Sequence, residues 1–243
     1  SWASSNRFFL DMATRLEEFL YRKSFMVTGQ TQGIVKNIKA RFPEKTVHWL
    51  PNGVDDSIFN AVPDQNKRAA LGFSEDDFLV LYAGIIGLAQ GLDIILDTAA
   101  KVPPELKIKF LLLGEGPEKE RLVLRKKNEK SDNVIFIDLV SREEVPSIVQ
   151  AIDAAVIPLK KMDLFLGAIP SKIFENLALK KPIVLAVDGE ARQLFIEEGK
   201  CGIYCEPENA DAMTQAVIHL ATHPAEAKQM GKIEELTLYA IEQ

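Results

Sequence analysis

Between Asp77 and Leu220 the chain repeats one pattern: a short apolar run, then an amphipathic stretch long enough for a helix. The runs fall at 78–83, 108–113, 134–137, 154–159, 182–186 and 202–204. The first four are largely apolar on consecutive residues instead of alternating ones, which is how strands covered on both faces read. Helical patterns lie between and after them at 92–100, 117–127, 142–152, 171–179, 190–198 and 209–222. Strand, helix, strand repeated this often predicts right-handed crossovers and an open, parallel, Rossmann-like α/β sheet. A ligand is then expected at the carboxyl ends of the strands.

The first seventy residues depart from this pattern. Helices are predicted over 8–23 and 31–41, and short strands over 25–27 and 47–50. That is too little repeated structure for a full domain. We therefore divide the chain into a remnant of a preceding domain (1–50), a connection (51–74), a Rossmann-like ligand-binding domain (75–224) and a helical tail (225–243). Asp64-Gln65-Asn66-Lys67 reads as polar linker, and the start of the chain reads as a domain cut. Phe8, Phe9, Leu10, Phe19, Leu20 and Tyr21 would suit either a membrane surface or a core. The acids Asp11, Glu17 and Glu18 on the same helix favour the core.

Composition narrows the function. With 29 basic and 35 acidic residues the formal charge is −6, so bulk nucleic-acid binding is not expected. No apolar run approaches the roughly 18 residues that span a bilayer. The two cysteines, Cys201 and Cys205, read as small apolar residues of one strand. No ligand cluster completes a metal site around them, and such sparse cysteine suits a reducing cytoplasm. His219 and His223 stand at helical i, i+4 spacing but lack a third ligand, so a solvated helix face is expected.

Three stretches at strand ends suit phosphate and ribose chemistry. Tyr82-Ala83-Gly84-Ile85-Ile86-Gly87 carries glycines at a strand-to-helix junction, where backbone amides can approach a phosphate. The spacing is not that of a dinucleotide fingerprint. A tight turn without a ligand explains it equally well. Leu113-Gly114-Glu115-Gly116-Pro117 turns the chain and opens a helix with proline. In Gly167-Ala168-Ile169-Pro170-Ser171-Lys172-Ile173-Phe174-Glu175 a helix opens after a loop. Its unpaired amides and dipole attract anions, Lys172 adds a mobile cation, and Glu175, about a turn in, suits a ribose diol. The plain alternative is an N-cap serine followed by a first-turn acid.

Taken in order along the chain, these stretches resemble glycosyltransferase family 4. Pro51-Asn52-Gly53-Val54-Asp55, with Phe59, is similar to the connection between the two halves of that family. Tyr82-Ala83-Gly84 with Gly91-Leu92, Gly114-Glu115-Gly116-Pro117, and Val134-Ile135-Phe136 with Val140 resemble its donor-domain strands and turns. Pro170-Ser171-Lys172-Ile173-Phe174-Glu175-Asn176-Leu177-Ala178 resembles its donor-site helix. The resemblance implies a GT-B fold, of which this chain would be the C-terminal, nucleotide-sugar-binding half.

The implied activity is retaining transfer of a hexosyl or acetylhexosaminyl group from a UDP-linked donor, of the type that assembles bacterial surface polysaccharides. The acceptor, a sugar or a lipid-linked one, would be bound by the missing N-terminal half, so this piece alone would be inactive. By position, Glu175 would bind the ribose, and Ser171 and Lys172 would face the diphosphate. Gly84, Ile85, Gly87 and Gly114 would supply turn backbone near the phosphates, and Val140 would lie by the base. No cofactor is implied, because the donor is itself a substrate, and no metal, because helix N-termini and Lys172 can hold the phosphates. A cytoplasmic location is implied, with peripheral membrane association open for the full-length protein.

Two departures stand out. Gly167 occupies the first glutamate position of the family's E-x7-E pattern, and Ile85 and Gln90 occupy its usual arginine and lysine slots. Other readings are a GT-B isomerase such as a UDP-sugar 2-epimerase, or a non-catalytic nucleotide-binding module. No histidine stands where an epimerase would want one, and Gly84-Ile85-Ile86-Gly87 lacks the acids of a receiver-like domain.

Overall fold

A computed structural model describes residues 7–53 and 64–232. The side chains of 7–10 lie outside the description, as do Val54, Asp55 and Phe59 of the connection motif and the tail beyond 232. The chain separates into two compact units, divided between Asn52 and Gly53.

The first unit holds α1 (Arg7–Lys23), β1 (Val27–Gly29), α2 (Gln32–Arg41) and β2 (Val47–Trp49). The two strands pair in parallel, with Val27 opposite Val47. Thr31 caps α2, its hydroxyl accepting from the Ile34 amide at 3.1 Å. Val27, Val35, Ile38, Phe42 and Val47 form a small core, with Tyr21 packed on it. Phe19 and Leu20, expected in a core, are more than half exposed within this unit, and only Tyr21 joins it.

The second unit is the repeating one. Its elements are α3 (Lys67–Ala70), β3 (Phe78–Ala83), α4 (Asp93–Ala99), β4 (Ile108–Leu113), α5 (Lys119–Glu129), β5 (Val134–Ile137), α6 (Val145–Ala151), β6 (Ala154–Pro158), α7 (Lys172–Ala178), β7 (Ile183–Ala186), α8 (Glu190–Arg192), β8 (Gly202–Tyr204), α9 (Ala210–Thr222) and α10 (Pro224–Met230). Six strands form one parallel sheet in the order β5-β4-β3-β6-β7-β8. The chain winds outward from β3 to β5, then returns to place β6 on the other side of β3. That reversal opens a crevice at the carboxyl edge.

The consecutive apolar residues have a direct cause. Val80, Tyr82, Phe110 and Leu112 enter the core on one face of the sheet, with α4 and α9. Leu79, Leu81, Leu111 and Leu113 enter the core on the other, with α6 and α7. Each fully buried Leu, Val or Phe contributes about 1.5–3 kcal/mol, so both faces select apolar side chains.

Three local expectations are corrected. Lys67 opens a short helix instead of continuing a linker, because the Arg68 guanidinium anchors that helix to the Ser74 carbonyl at 2.9 Å, the Ala151 carbonyl at 2.9 Å and Asp153 at 3.1 Å. Cys201 and Cys205 are buried but flank β8 at its two ends, and they enter opposite cores. The helix after β7 widens into a π-helical turn at Gln193–Glu198. Among the described residues no helix is long and apolar enough to cross a membrane.

Candidate functional site

The carboxyl ends of the first three strands of this sheet surround a hollow of about 360 Å³. After β3 it is lined by Ala83, Gly84 and Ile85, and after β4 by Leu113, Gly114 and Glu115. Beyond β5 it meets Leu139, Val140 and Val145, and Glu175 of α7 closes it. One wall is thus apolar, and a carboxylate and a glycine turn make the others.

The turns after β3 and β4 interlock. The Gly84 amide donates to the Leu113 carbonyl at 2.9 Å, and the Ile86 amide donates to the Glu115 carbonyl at 2.8 Å. A Cβ on Gly114 would overlap the Gly84 carbonyl oxygen, and both glycines hold φ +142, where side chains are strained. Gly114 therefore has a packing reason to be glycine whatever binds above it. Among the described residues the amides of Ile85 and Gly87 make no hydrogen bond, whereas that of Gly84 is engaged.

Lys172 is not a mobile cation. Its ammonium donates to the Tyr82 hydroxyl at 3.1 Å and sits 4.2 Å from the centre of the Tyr82 ring. A Cβ on Gly84 would lie 3.1 Å from that ammonium, so the charge stands directly beneath the β3 turn. Burial disfavours the charged form and lowers the Lys172 pKa to about 8, against a raising influence of Glu175. Burial also raises the Glu175 carboxyl, opposed by the positive charges of Arg142 and Lys172. The Ser171 backbone is already helical, and its exposed hydroxyl makes no capping bond, so the plain N-cap reading does not hold there.

Of the expected residues, Gly84, Ile85, Gly114, Val140 and Glu175 line one hollow, and Lys172 abuts Gly84. Gly87 and Ser171 do not line it; a Cβ on Gly87 would press on the Gln90 carboxamide at 2.9 Å. Tyr82, Leu139, Val145 and Arg142 went unread in the sequence. Tyr82 passes for one more apolar strand residue, Arg142 and Val145 for part of a helix over 142–152, and Leu139 is not singled out beside Val140. Asp163 lines a second hollow of about 240 Å³ with Lys160, Lys161 and Asp188. There Lys161 pairs with Glu206 at 2.5 Å. His219 and His223 stack at 4.2 Å, and His219 meets Glu226 at 2.8 Å.

An open parallel sheet of this order, with a hollow at its carboxyl edge, matches the fold of solved GT-B glycosyltransferases. The complex of Anabaena HepE with UDP-glucose matches at TM-score 0.76 and 18% identity, over 99% of this chain and 64% of that one. Sucrose-phosphate synthase from Thermosynechococcus elongatus matches at TM-score 0.75 and 20% identity, over 91% and 55%. In sequence, the alpha-galactosylglucosyldiacylglycerol synthase of Streptococcus pneumoniae is 24% identical over 223 residues, 87% of this chain and 55% of that protein. The chain spans about half the length of the curated relatives it matches.

The profile of the glycosyl transferases group 1 family matches residues 63–236, and the chain belongs to that family.

Proposed function

We propose that the chain binds a UDP-linked sugar and takes part in retaining transfer of its hexosyl or acetylhexosaminyl group to a hydroxyl of a polysaccharide or lipid-linked acceptor. The observation that carries this reading is the pairing of Glu175 and Lys172 on one helix, the first in an apolar-walled hollow and the second under the β3 turn. In this reading the Glu175 carboxylate accepts the two ribose hydroxyls, and Val140 with Leu139 covers one face of the base. Lys172, the Ser171 end of α7 and the unpaired amides of Ile85 and Gly87 receive the diphosphate, with Gly84 and Gly114 leaving room for it. The chemistry asked of the protein is stabilisation of charge on the departing diphosphate as the sugar–phosphate bond breaks. Lys172 and the amides meet that charge, so the reading assigns no metal and no cofactor.

Three HepE complexes contain UDP-glucose, UDP, or UDP with glucose, which supports a uracil nucleotide here. The acceptor is assigned to sequence beyond this chain. The reading sets the protein in the cytoplasm, peripheral to the membrane when the acceptor is lipid-linked. Calorimetry with UDP, GDP, ADP and uridine tests the binding claim: UDP should bind tightest, and equal or absent heats for all four would overturn it.

The 243-residue chain by itself is expected to transfer no sugar. A cleft that excludes water and aligns an acceptor needs a second wall, and the described residues of the first unit form a two-stranded sheet. A radiolabelled-donor assay with lipid and sugar acceptors is the check, and robust product formation would overturn this division of labour.

The pH dependence of binding follows from Lys172. Its ammonium persists below a pKa of about 8. UDP affinity should therefore be full at pH 7 and decline as pH rises through about 8, while uridine affinity stays level. A flat UDP profile from pH 7 to 9.5 would remove Lys172 from the phosphate site.

A further inference from the structure

Tyr82 is fully buried in the core beneath the β3 turn, yet the core has no need of its hydroxyl. Phenylalanine would fill the same ring volume, and an unbonded hydroxyl there would be a burial cost. This hydroxyl is bonded on both sides. Its proton is committed to the Ile85 carbonyl at 2.6 Å. The oxygen is thereby left as an acceptor, and the Lys172 ammonium donates to it at 3.1 Å while lying over the ring. The Ile85–Ile86 peptide is in turn held at both ends, by Tyr82 at its carbonyl and by the Glu115 carbonyl at its amide. The acceptor that Tyr82 offers is therefore fixed in direction.

We propose that Tyr82 is a positioning residue, whose hydroxyl holds the Lys172 ammonium under the β3 turn where a diphosphate would be received. The inference rests on the nucleotide-binding reading above. Among the described residues the other charged groups bearing on Lys172 are Glu175 on its own helix and, through Glu175, Arg142 of the segment after β5. Burial keeps the Tyr82 phenol neutral by raising its pKa, so its proton stays on the bond to the Ile85 carbonyl while its oxygen accepts from the lysine. Without the hydroxyl, the ammonium retains only the ring face and is free to turn toward Glu175 or water.

The test is Tyr82→Phe, which keeps the ring and its packing. UDP affinity should fall roughly fivefold to thirtyfold, the effect of one lost hydrogen bond, with uridine affinity within about twofold of the parent. Removing an acceptor from the ammonium also lowers its pKa. The decline of UDP binding with pH should therefore begin at lower pH in the variant. Measurements from pH 7 to 9.5 stay above the second ionisation of a phosphate, about 6. In a Lys172→Met background, Tyr82→Phe should leave the UDP-to-uridine ratio within about twofold, since the group being positioned is gone.

If the unaltered protein binds UDP no better than uridine, the nucleotide reading fails and takes this inference with it. If the unaltered protein prefers UDP and Tyr82→Phe keeps both that preference and the pH profile, the positioning role alone is overturned. A loss of the same size in the Lys172→Met background overturns it as well, because Tyr82 would then act by another route.

Discussion

Replacing Lys172 by methionine is expected to remove about 1.5–3 kcal/mol of UDP binding, the strength of a charge-assisted hydrogen bond, and to leave uridine almost unaffected. Uridine carries no phosphate, so the difference between the two ligands isolates the ammonium. The same substitution should not destabilise the fold. In the folded chain the Lys172 pKa is depressed from 10.5 to about 8, with burial as the leading cause. The sign follows from that direction. Below pH 8 the folded protein retains an ammonium in surroundings that disfavour it, and this penalty is relieved as pH rises from about 8 toward 10.5. Methionine has similar length and no charge to desolvate, so at pH 7 the variant should melt at the same temperature or higher, the usual mark of a group kept for function. Thermal melts at pH 7 and calorimetry with both ligands check the two halves. The paired change Lys160→Ala, Lys161→Ala is the control, since those lysines line the second hollow. If that pair abolishes the preference for UDP and Lys172→Met does not, the diphosphate belongs on the loop after Pro158.

For Glu175→Ala the expected pattern is different: UDP and uridine should weaken together, by about 1–3 kcal/mol. Both ligands carry the ribose diol, and a half-buried carboxylate lining a hollow is suited to two hydroxyl donors. Burial raises the carboxyl above its ordinary 4.5, with Arg142 and Lys172 acting against it. Only the ionised form accepts both hydroxyls. Binding of either ligand should thus fail at a higher pH on acidification than an ordinary glutamate would allow. Unchanged affinity in a folded Glu175→Ala protein, or a loss confined to UDP, would remove Glu175 from the ribose.

The sheet was legible in the sequence because its signal is local. Four of the six strands of the second unit have the bounds expected from their apolar runs, and the other two differ by a residue at one end. The reason is that both faces of this sheet are covered, which forces consecutive apolar residues at 79–82 and 110–113. The glycines at 84, 114 and 116 likewise announce turns, as their positive φ values require. The collinear order of these turns with Pro170-Ser171-Lys172 through Glu175 was enough to suggest the family.

Other features depended on residues far apart in the chain. Tyr82 and Lys172 are ninety positions apart, and only the return of β6 beside β3 brings α7 under the β3 turn. That placement turns a lysine read as mobile into one held on an aromatic ring, with its charge disfavoured by burial. The interlocking of two turns makes Gly114 a packing residue and engages the Gly84 amide, while among the described residues the amides of Ile85 and Gly87 make no hydrogen bond. Arg68 converts an apparent linker into an anchored helix through carbonyls at 74 and 151. No window of neighbouring residues contains these facts, because hydrogen bonds and burial act through space. What the sequence determined by itself was the alternation of covered strands and helices; what the tertiary structure decided was which charges, hydroxyls and amides stand together at the edge of the sheet.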